Sequence, residues 1–486
     1  MSAEPTASAP HVPTRTPRDP ASRTSFAQRT EEALLDPFLR VKLRDALDQA
    51  LAARAARADE LPQFEEMRRR AGDIRRHVIG RLAEHVEQFI ETAESRGVRV
   101  FLAEGAASAR QYVVDLARQH GAEHVVKSKS MVTEEIGLFD ALAEAGIDVV
   151  ESDLGEFLAK LAGDAPSHLT APVVHLSRAD IGHLLEEKLG VPFTDRPEEI
   201  TAIVRDHLRA KFLGSRLGIT GANFLVGETG SAVVIENEGN VRLTTSLPPV
   251  HVIVAGIERI VPRWADLELF LTLLAASAGG QRLTAYTSVF TGPRREHETG
   301  GPDELHIVLV DAGRSDILAD PMLREALCCI RCGACLNTCP VYRRVGGHAY
   351  GYTYPGPIGQ LLAAGLWDAP SGYELAHACT LCSACHGICP VGIDTPALLI
   401  QLRNTAIEAG KHAMLRCWPV RLWRWLMLHP AMYRFAARTI GRHGVARFPS
   451  LAAAAMPGWV AHRELPAIAP RSFGRLWRDT RGFTDE

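Results

Sequence analysis

Cysteine is absent from the first 327 residues, and neither sign of charge dominates the chain. No stretch approaches the roughly 18 to 20 uninterrupted apolar residues of a membrane span. Each absence excludes something. A secreted disulfide framework spreads its bridges through the fold, so the late group of nine cysteines between 328 and 389 points to metal-bound thiolates in a reducing cytoplasm. The missing apolar run predicts a soluble, cytoplasmic chain. Lys and Arg number 54 against 57 Asp and Glu, a net charge of -3, which gives no whole-molecule field for nucleic acid. No G-x-G-x-x-G stands between a strand and a helix, so there is no nicotinamide or flavin fingerprint.

The chain of 486 residues has room for roughly three domains at about 150 residues each. Residues 1–28 are rich in Pro, Ser, Thr and Ala, lack the apolar core of a secretory signal and read as a disordered tail. From Thr30 to about Gly97, apolar residues recur at three- and four-residue steps among charges, which predicts helices broken at Pro62. Then the period changes. Short apolar runs such as VRVFLA, HVVKSK and IDVVES alternate with helical segments, the pattern of a parallel sheet with crossover helices. Between 215 and 256, Gly-Glu-Thr-Gly and Glu-Gly-Asn punctuate strand-like runs and predict antiparallel hairpins, and LHIVLVDAG at 305–313 reads as a last buried strand. Asp320 and Pro321 begin a predicted helix, as do Thr395 and Pro396 further on.

The one internal repeat found is in the cysteines: CIRCGACLNTCPV at 329 recurs as CTLCSACHGICPV at 379. Each copy is C-x2-C-x2-C-x3-C-P, the bacterial run for iron–sulfur clusters, in which the fourth cysteine serves the other cluster. Three thiolates at two-residue gaps wrap one face of a cubane, while the proline stops the chain from folding back on the same cluster. By that rule Cys329, Cys332 and Cys335 with Cys389 hold one [4Fe–4S] cluster, and Cys379, Cys382 and Cys385 with Cys339 hold the second. Structural zinc is the competing reading, but zinc usually pairs two C-x2-C knuckles. Cys328 and Cys417 are expected to pack as small apolar residues. Backbone amides at Gly333 and around Ala334 and Ala384 are expected to tune the clusters, and Arg343 and Arg344 either to raise their potential, to dock a partner or to form a solvated face.

Other candidate groups are weaker. Lys127, Lys129 and Ser130, with the turn Glu228, Thr229, Gly230, can be read as holding an anion such as a carboxylate, or simply as a helix cap and a hairpin. His168, His175, His251 and His306 lie in apolar surroundings and are expected in the core. Between Lys411 and Gly482 there are thirteen Lys and Arg, two acids and five of the seven tryptophans. That basic, aromatic module suits packing on a partner subunit, or peripheral contact with the inner face of an anionic membrane.

KSKSMVTEEIGL, ESDLGEFLAKLAGDAPSHLTAPVVH, NFLVGETGSAVVIENEGN and CIRCGACLNTCPVYRRVGGHAYGYTYPGPIG, in this order, resemble the lactate utilization protein B family from about residue 30 onward. The resemblance implies an α/β LUD domain (NagB/RpiA/CoA-transferase-like) over 29–315, a helical two-cluster ferredoxin-like domain over 316–409, and the basic module over 410–486. It implies an iron–sulfur electron-transfer subunit of a complex oxidising L-lactate to pyruvate. The implied partners are a cysteine-rich CCG-domain subunit and a second LUD-domain subunit. An iron–sulfur subunit of another 2-hydroxyacid dehydrogenase, such as one for glycolate, and a LUD-domain enzyme or regulator with redox-sensing clusters remain open. The chain departs from the family at Ser383, where Leu381-Cys382-Ser383-Ala384-Cys385 has serine in place of glycine, which puts the second cluster's potential in question.

Overall fold

The structure, a computed structural model, describes residues 25–367, 369–408, 418–435 and 473–481. Residues Met1–Asn404 form one compact unit and Thr405–Glu486 another. The helical run starts at Phe26, earlier than the sequence suggested, because Ser25 forms a capping box with Gln28. Helices Phe26–Leu35, Leu39–Asp59, Phe64–Gly80 and Leu82–Glu94 follow, and Pro62 falls in the second of the breaks. Their apolar sides, including Leu43, Leu47, Phe64, Val78 and Phe89, are buried.

The expected parallel sheet is present. Its strands are β1 (Arg99–Ala103), β2 (His124–Lys127), β3 (Asp148–Glu151), β4 (Leu217–Thr220), β7 (Val250–Gly256) and β10 (Glu304–Val310), in the order β1-β10-β7-β4-β2-β3. All its pairings are parallel. β7 is buried throughout and β10 from its second residue, which explains why these runs read as continuous rather than alternating apolar sequence. β10 is the last strand in sequence among the described residues, yet it lies inside the sheet, between β1 and β7.

A second sheet of four strands has the order β8-β5-β6-β9, formed by β5 (Phe224–Val226), β6 (Ser231–Glu236), β8 (Ile260–Val261) and β9 (Tyr286–Phe290). β5 and β6 make the predicted hairpin around Gly-Glu-Thr-Gly. The second predicted turn, Glu-Gly-Asn, is instead a helix start: Gly239 has φ 75° and Asn240–Ser246 is helical. The Glu236 carboxylate accepts from the amides of Val241 (2.8 Å) and Arg242 (3.1 Å), and the Thr244 and Thr245 hydroxyls donate back to carbonyls four residues earlier. Those side-chain bonds outweigh the strand preference of Val and Thr.

Beyond β10 the chain turns to short helices. Leu323–Cys328 is a 3-10 turn rather than the expected helix, and its cap position is Met322 and not Asp320, whose carboxylate instead accepts from the Met322 and Leu323 amides in the turn leading in. At Thr395–Glu408 the cap is Asp394, which accepts from the Ala397 amide at 3.2 Å, and not Thr395; Pro396 lies in the first turn as expected. One hydrophobic core runs from Leu43 through Phe224 and Leu305 to Cys332, Cys339 and Leu402, so the cysteine segments and the α/β domain share an interior. In the second unit the helix Trp418–Leu428 stops before Pro430, while Cys417, Trp459 and the rest of 436–472 lie outside the described residues. Among the described residues no helix is long and apolar enough to cross a membrane.

Candidate metal centre

The repeat recurs in three dimensions. Gly333 and Ser383 both begin a five-residue helix from a left-handed backbone, with φ 77° and 61°. Inside the first cysteine gap of each copy, Arg331 and Leu381 are also left-handed, at φ 61° and 56°. Three non-glycine residues in that region are uncommon, and the strain persists only where surroundings enforce it. The reason lies in the sulfurs. The Arg331 amide donates to Cys329 Sγ at 3.3 Å, and the Leu381 amide to Cys379 Sγ at the same distance. At the fourth cysteine of each copy, amides just beyond it also reach the sulfur: Val341 and Tyr342 for Cys339, and Ile393 (3.4 Å) with Val391 for Cys389. The expected amide at Ala334 donates to Cys332.

The cysteines gather in two sets that cross between the copies. Cys329, Cys332, Cys335 and Cys389 line one hollow with Leu169, Ile330 and Ile358, and Cys385 reaches its wall. The charges felt by Cys332 and Cys335 come from within this set, whereas Cys385 is acted on by Cys379, Cys339 and Cys382. Burial, with those neighbouring thiolates, pushes the thiols up, Cys385 to about 12. A bare quartet of thiolates is therefore unfavourable, and a cationic iron centre reverses the balance, so the donor set fits the group that the spacing implies. Cys328 is buried outside both sets, and burial holds its thiol up at about 12, as a packing residue.

Arginines from the first helices, and Arg403 from the helix Thr395–Glu408, hold these loops by their carbonyls. Arg75, 2% exposed, donates to the carbonyls of Cys328 (3.2 Å), Leu327 (2.9 Å) and Ile260 (2.7 Å). Arg54 reaches Ile388 at 2.9 Å, Arg68 reaches Cys389 at 2.9 Å and Gly387 at 2.8 Å, and Arg403 reaches Cys379 at 2.7 Å. Fixed cations beside sulfur ligands favour the more negative, reduced form of a cluster. Arg343, by contrast, donates to Asn337 and pairs with Asp48, so it ties a loop to a helix; Arg344 is exposed.

A second network was missed in the sequence. Glu258, just after β7, is fully buried and receives Arg314 Nε (2.6 Å), Arg331 Nη2 (3.3 Å) and, at 3.9 Å, Arg259. Burial would raise its carboxyl, but the three guanidiniums hold it at about 2. Arg314 also grips Glu135, which accepts from the Tyr354 hydroxyl at 2.6 Å. The available signal was Arg331 itself, a charged residue between two ligand positions of the motif.

The candidate anion residues separate. Lys127 is taken: its ammonium lies 3.0 Å from Glu151, 3.1 Å from Glu156 and 3.7 Å from Glu134, so these carboxylates surround a lysine and not a metal ion. Ser130 caps the short helix Met131–Glu135. Gly230 packs so tightly that a Cβ would come within 2.5 Å of the Ala93 amide, and Glu228 accepts from the Trp264 amide, so that turn is structural. Lys129 alone stays unpartnered, on the wall of a cavity. Three of the histidines are core residues as expected. His168 pairs with Asn337 at 3.0 Å and burial lowers it to about 4, His251 pairs with Thr220 at 2.9 Å and is lowered to about 3, and His306 bonds Tyr112 at 2.8 Å. His175 is half-buried between Ser167 and Asp164.

Comparison with known proteins gives this arrangement its context. The LUD domain family profile matches residues 86–310, and the 4Fe-4S dicluster domain profile matches residues 325–393. Lactate utilization protein B of Oceanobacillus iheyensis is 40% identical over 461 residues, 94% of this chain and 96% of its own. The uncharacterized electron transport protein YkgF of Escherichia coli strain K12 is also 40% identical over 461 residues, with the same coverage. The crystal structure of a DUF162 family protein from Deinococcus radiodurans covers 47% of this chain and 98% of its own at 14% identity, but its TM-score of 0.26 is too low to equate the folds. With a LUD domain, a domain for two [4Fe–4S] clusters and relatives matched almost end to end, this chain belongs to the lactate utilization protein B family.

Proposed function

We propose that this chain is the iron–sulfur electron-transfer subunit of an assembly that oxidises L-lactate to pyruvate. Cys329, Cys332, Cys335 and Cys389 hold one cluster in this reading, and Cys339, Cys379, Cys382 and Cys385 the other. The observation that carries it is the gradient of burial across two crossed sulfur sets: Cys332 is buried in the shared core, whereas Cys382 is exposed. When bound, such clusters accept and release single electrons. The chain's own residues then set direction: the buried loop faces the α/β domain and the open loop offers an exit.

The names of the relatives support the lactate assignment, and the parallel sheet with crossover helices supports a NagB/RpiA/CoA-transferase-like architecture for the LUD domain. A CCG-domain subunit and a second LUD-domain subunit are the proposed partners. Trp423, Trp425 and Leu428, exposed on the helix Trp418–Leu428, are the proposed contact for one of them.

The test is to reconstitute the assembly anaerobically and follow cluster reduction by electron paramagnetic resonance after adding L-lactate. Reduction by L-lactate and not by glycolate is expected. Colourless, iron-free chain that still supports turnover sinks the reading.

A further inference from the structure

A cavity of about 430 Å³ opens at the carboxyl ends of β2, β4 and β7, the side on which parallel α/β sheets receive ligands. Lys129 and Arg259, which follow β2 and β7, line it, as does Arg331 from the first cysteine loop. Arg259 and Arg331 are buried, Lys129 is half-buried with its ammonium enclosed, and between them Lys129 Nζ, Arg259 Nε, Arg331 Nε and Arg331 Nη1 make no hydrogen bond. Buried donors without partners are costly, and Arg259 and Arg331 keep such donors although both pair with Glu258.

Asp153 and Glu238 on the same walls attract Lys129 through space but make no hydrogen bond to it, and each is bonded elsewhere. Glu236 is engaged with the amides of Val241 and Arg242, Glu238 accepts from the Leu154 amide at 3.0 Å, and Asp153 caps its own helix through the Glu156 amide at 3.0 Å. Glu258 is shared among three guanidiniums, of which Arg314 takes the shortest contact. The rest of the wall mixes apolar side chains, among them Ile235, Val254 and Leu274, with the amides of Asn223, Asn240 and Gln281. Cationic donors at one place and apolar surface opposite are what a small organic acid needs.

We propose that this cavity is a binding site for a small carboxylate anion, held by Lys129, Arg259 and Arg331. The proposal goes beyond the electron-transfer reading and does not rest on it, since it puts ligand recognition on the LUD domain of this chain and not on a partner. Arg331 joins the two places physically: its backbone amide bonds Cys329 Sγ while its side chain lines the cavity. The opposing account is that the cluster's own negative charge is all that these cations offset, in which case no added anion binds.

Calorimetric titration of the anaerobic, iron-loaded full chain with L-lactate, pyruvate and inorganic phosphate decides between them. Saturable one-to-one binding of at least one of the two acids is expected, about tenfold or more tighter than phosphate. Lys129→Gln and Arg259→Gln should each weaken it about tenfold or more, the worth of a charge-assisted hydrogen bond, with iron content unchanged. Lys211→Gln, outside the cavity, should leave it unchanged. Should either cavity variant fail to fold, hydrogen exchange on the unaltered chain replaces it: the acid should slow the amides of 129–132 and 257–261. No saturable binding, phosphate binding as tightly as the acids, folded variants that bind normally, or unprotected amides overturns the proposal. If the acids do not bind but L-lactate still reduces the clusters in the assembly, only this inference falls; if they bind and the clusters stay oxidised, only the electron-transfer reading does.

Discussion

The two copies of the cysteine motif share ligand spacing, left-handed turns and amides aimed at sulfur, yet their surroundings are opposite. Residues 330–334 of the first copy are buried, with Cys332 in the core that also holds Phe224 and Leu305. In the second copy Thr380, Cys382, Ser383, His386 and Gly387 are exposed. Local sequence therefore fixes how a loop curls around its sulfurs, while packing fixes whether that loop faces the protein interior or the surface. The left-handed turn of the first copy needs glycine for space as well as for φ, because a Cβ on Gly333 would come within 3.1 Å of His168. The corresponding turn in the second copy lies at the surface, and serine is accommodated there.

The comparison breaks most severely at the ligands. Cys382→Ser should leave a folded chain with about four of its eight iron atoms, whereas Cys332→Ser, which opens the shared core, should lose nearly all iron and structure. Iron analysis with circular dichroism separates these outcomes, and equal losses in the two variants would erase the distinction between an inner and an outer centre. Next in size is Glu258→Gln. Removing the carboxylate leaves three buried guanidiniums with less compensation, at a cost of about 3–5 kcal/mol in anaerobic chemical unfolding. Glu258 is held at about 2 in the folded chain, below an unfolded value of about 4.3. Its contribution is therefore complete above about pH 4.3 and fades only as pH falls toward 2, so the measured loss should be the same at pH 6 and pH 8.

The smaller tests exchange the glycine and serine. Gly333→Ser should destabilise the first loop by about 1–3 kcal/mol, through the left-handed φ and the contact with His168. Ser383→Gly should do the reverse in the second loop, stabilising it by no more than about 1 kcal/mol while retaining all iron. Unfolding midpoints of the iron-loaded proteins measure both, and a loss of stability in Ser383→Gly would mean that its hydroxyl has a role of its own.

Much of this organisation could be read from residues alone. Ligand spacing is a local property, so eight cysteines and the proline after each fourth one announced two crossed sulfur sets before any coordinate. The parallel sheet followed from apolar runs of strand length separated by helical periods. The errors arose where side chains competed with backbone preference over a few residues. Glu236 turned an expected hairpin into a helix, and Asp394 displaced Thr395 as a cap. Lys127 and Lys129 were indistinguishable as letters two positions apart, but one meets three carboxylates and the other meets none within bonding distance.

What the order of amino acids settled without help was chemistry set by near neighbours: which atoms ligate, how tightly a loop curls, where strands and helices alternate. Folding in space decided the rest. Glu258, Arg259, Arg314 and Arg331 come from three separate segments, and only burial in one place makes their charges answer to each other. Exposure is likewise a property of what packs on top of a loop, so two motifs of the same cysteine spacing became an inner and an outer centre.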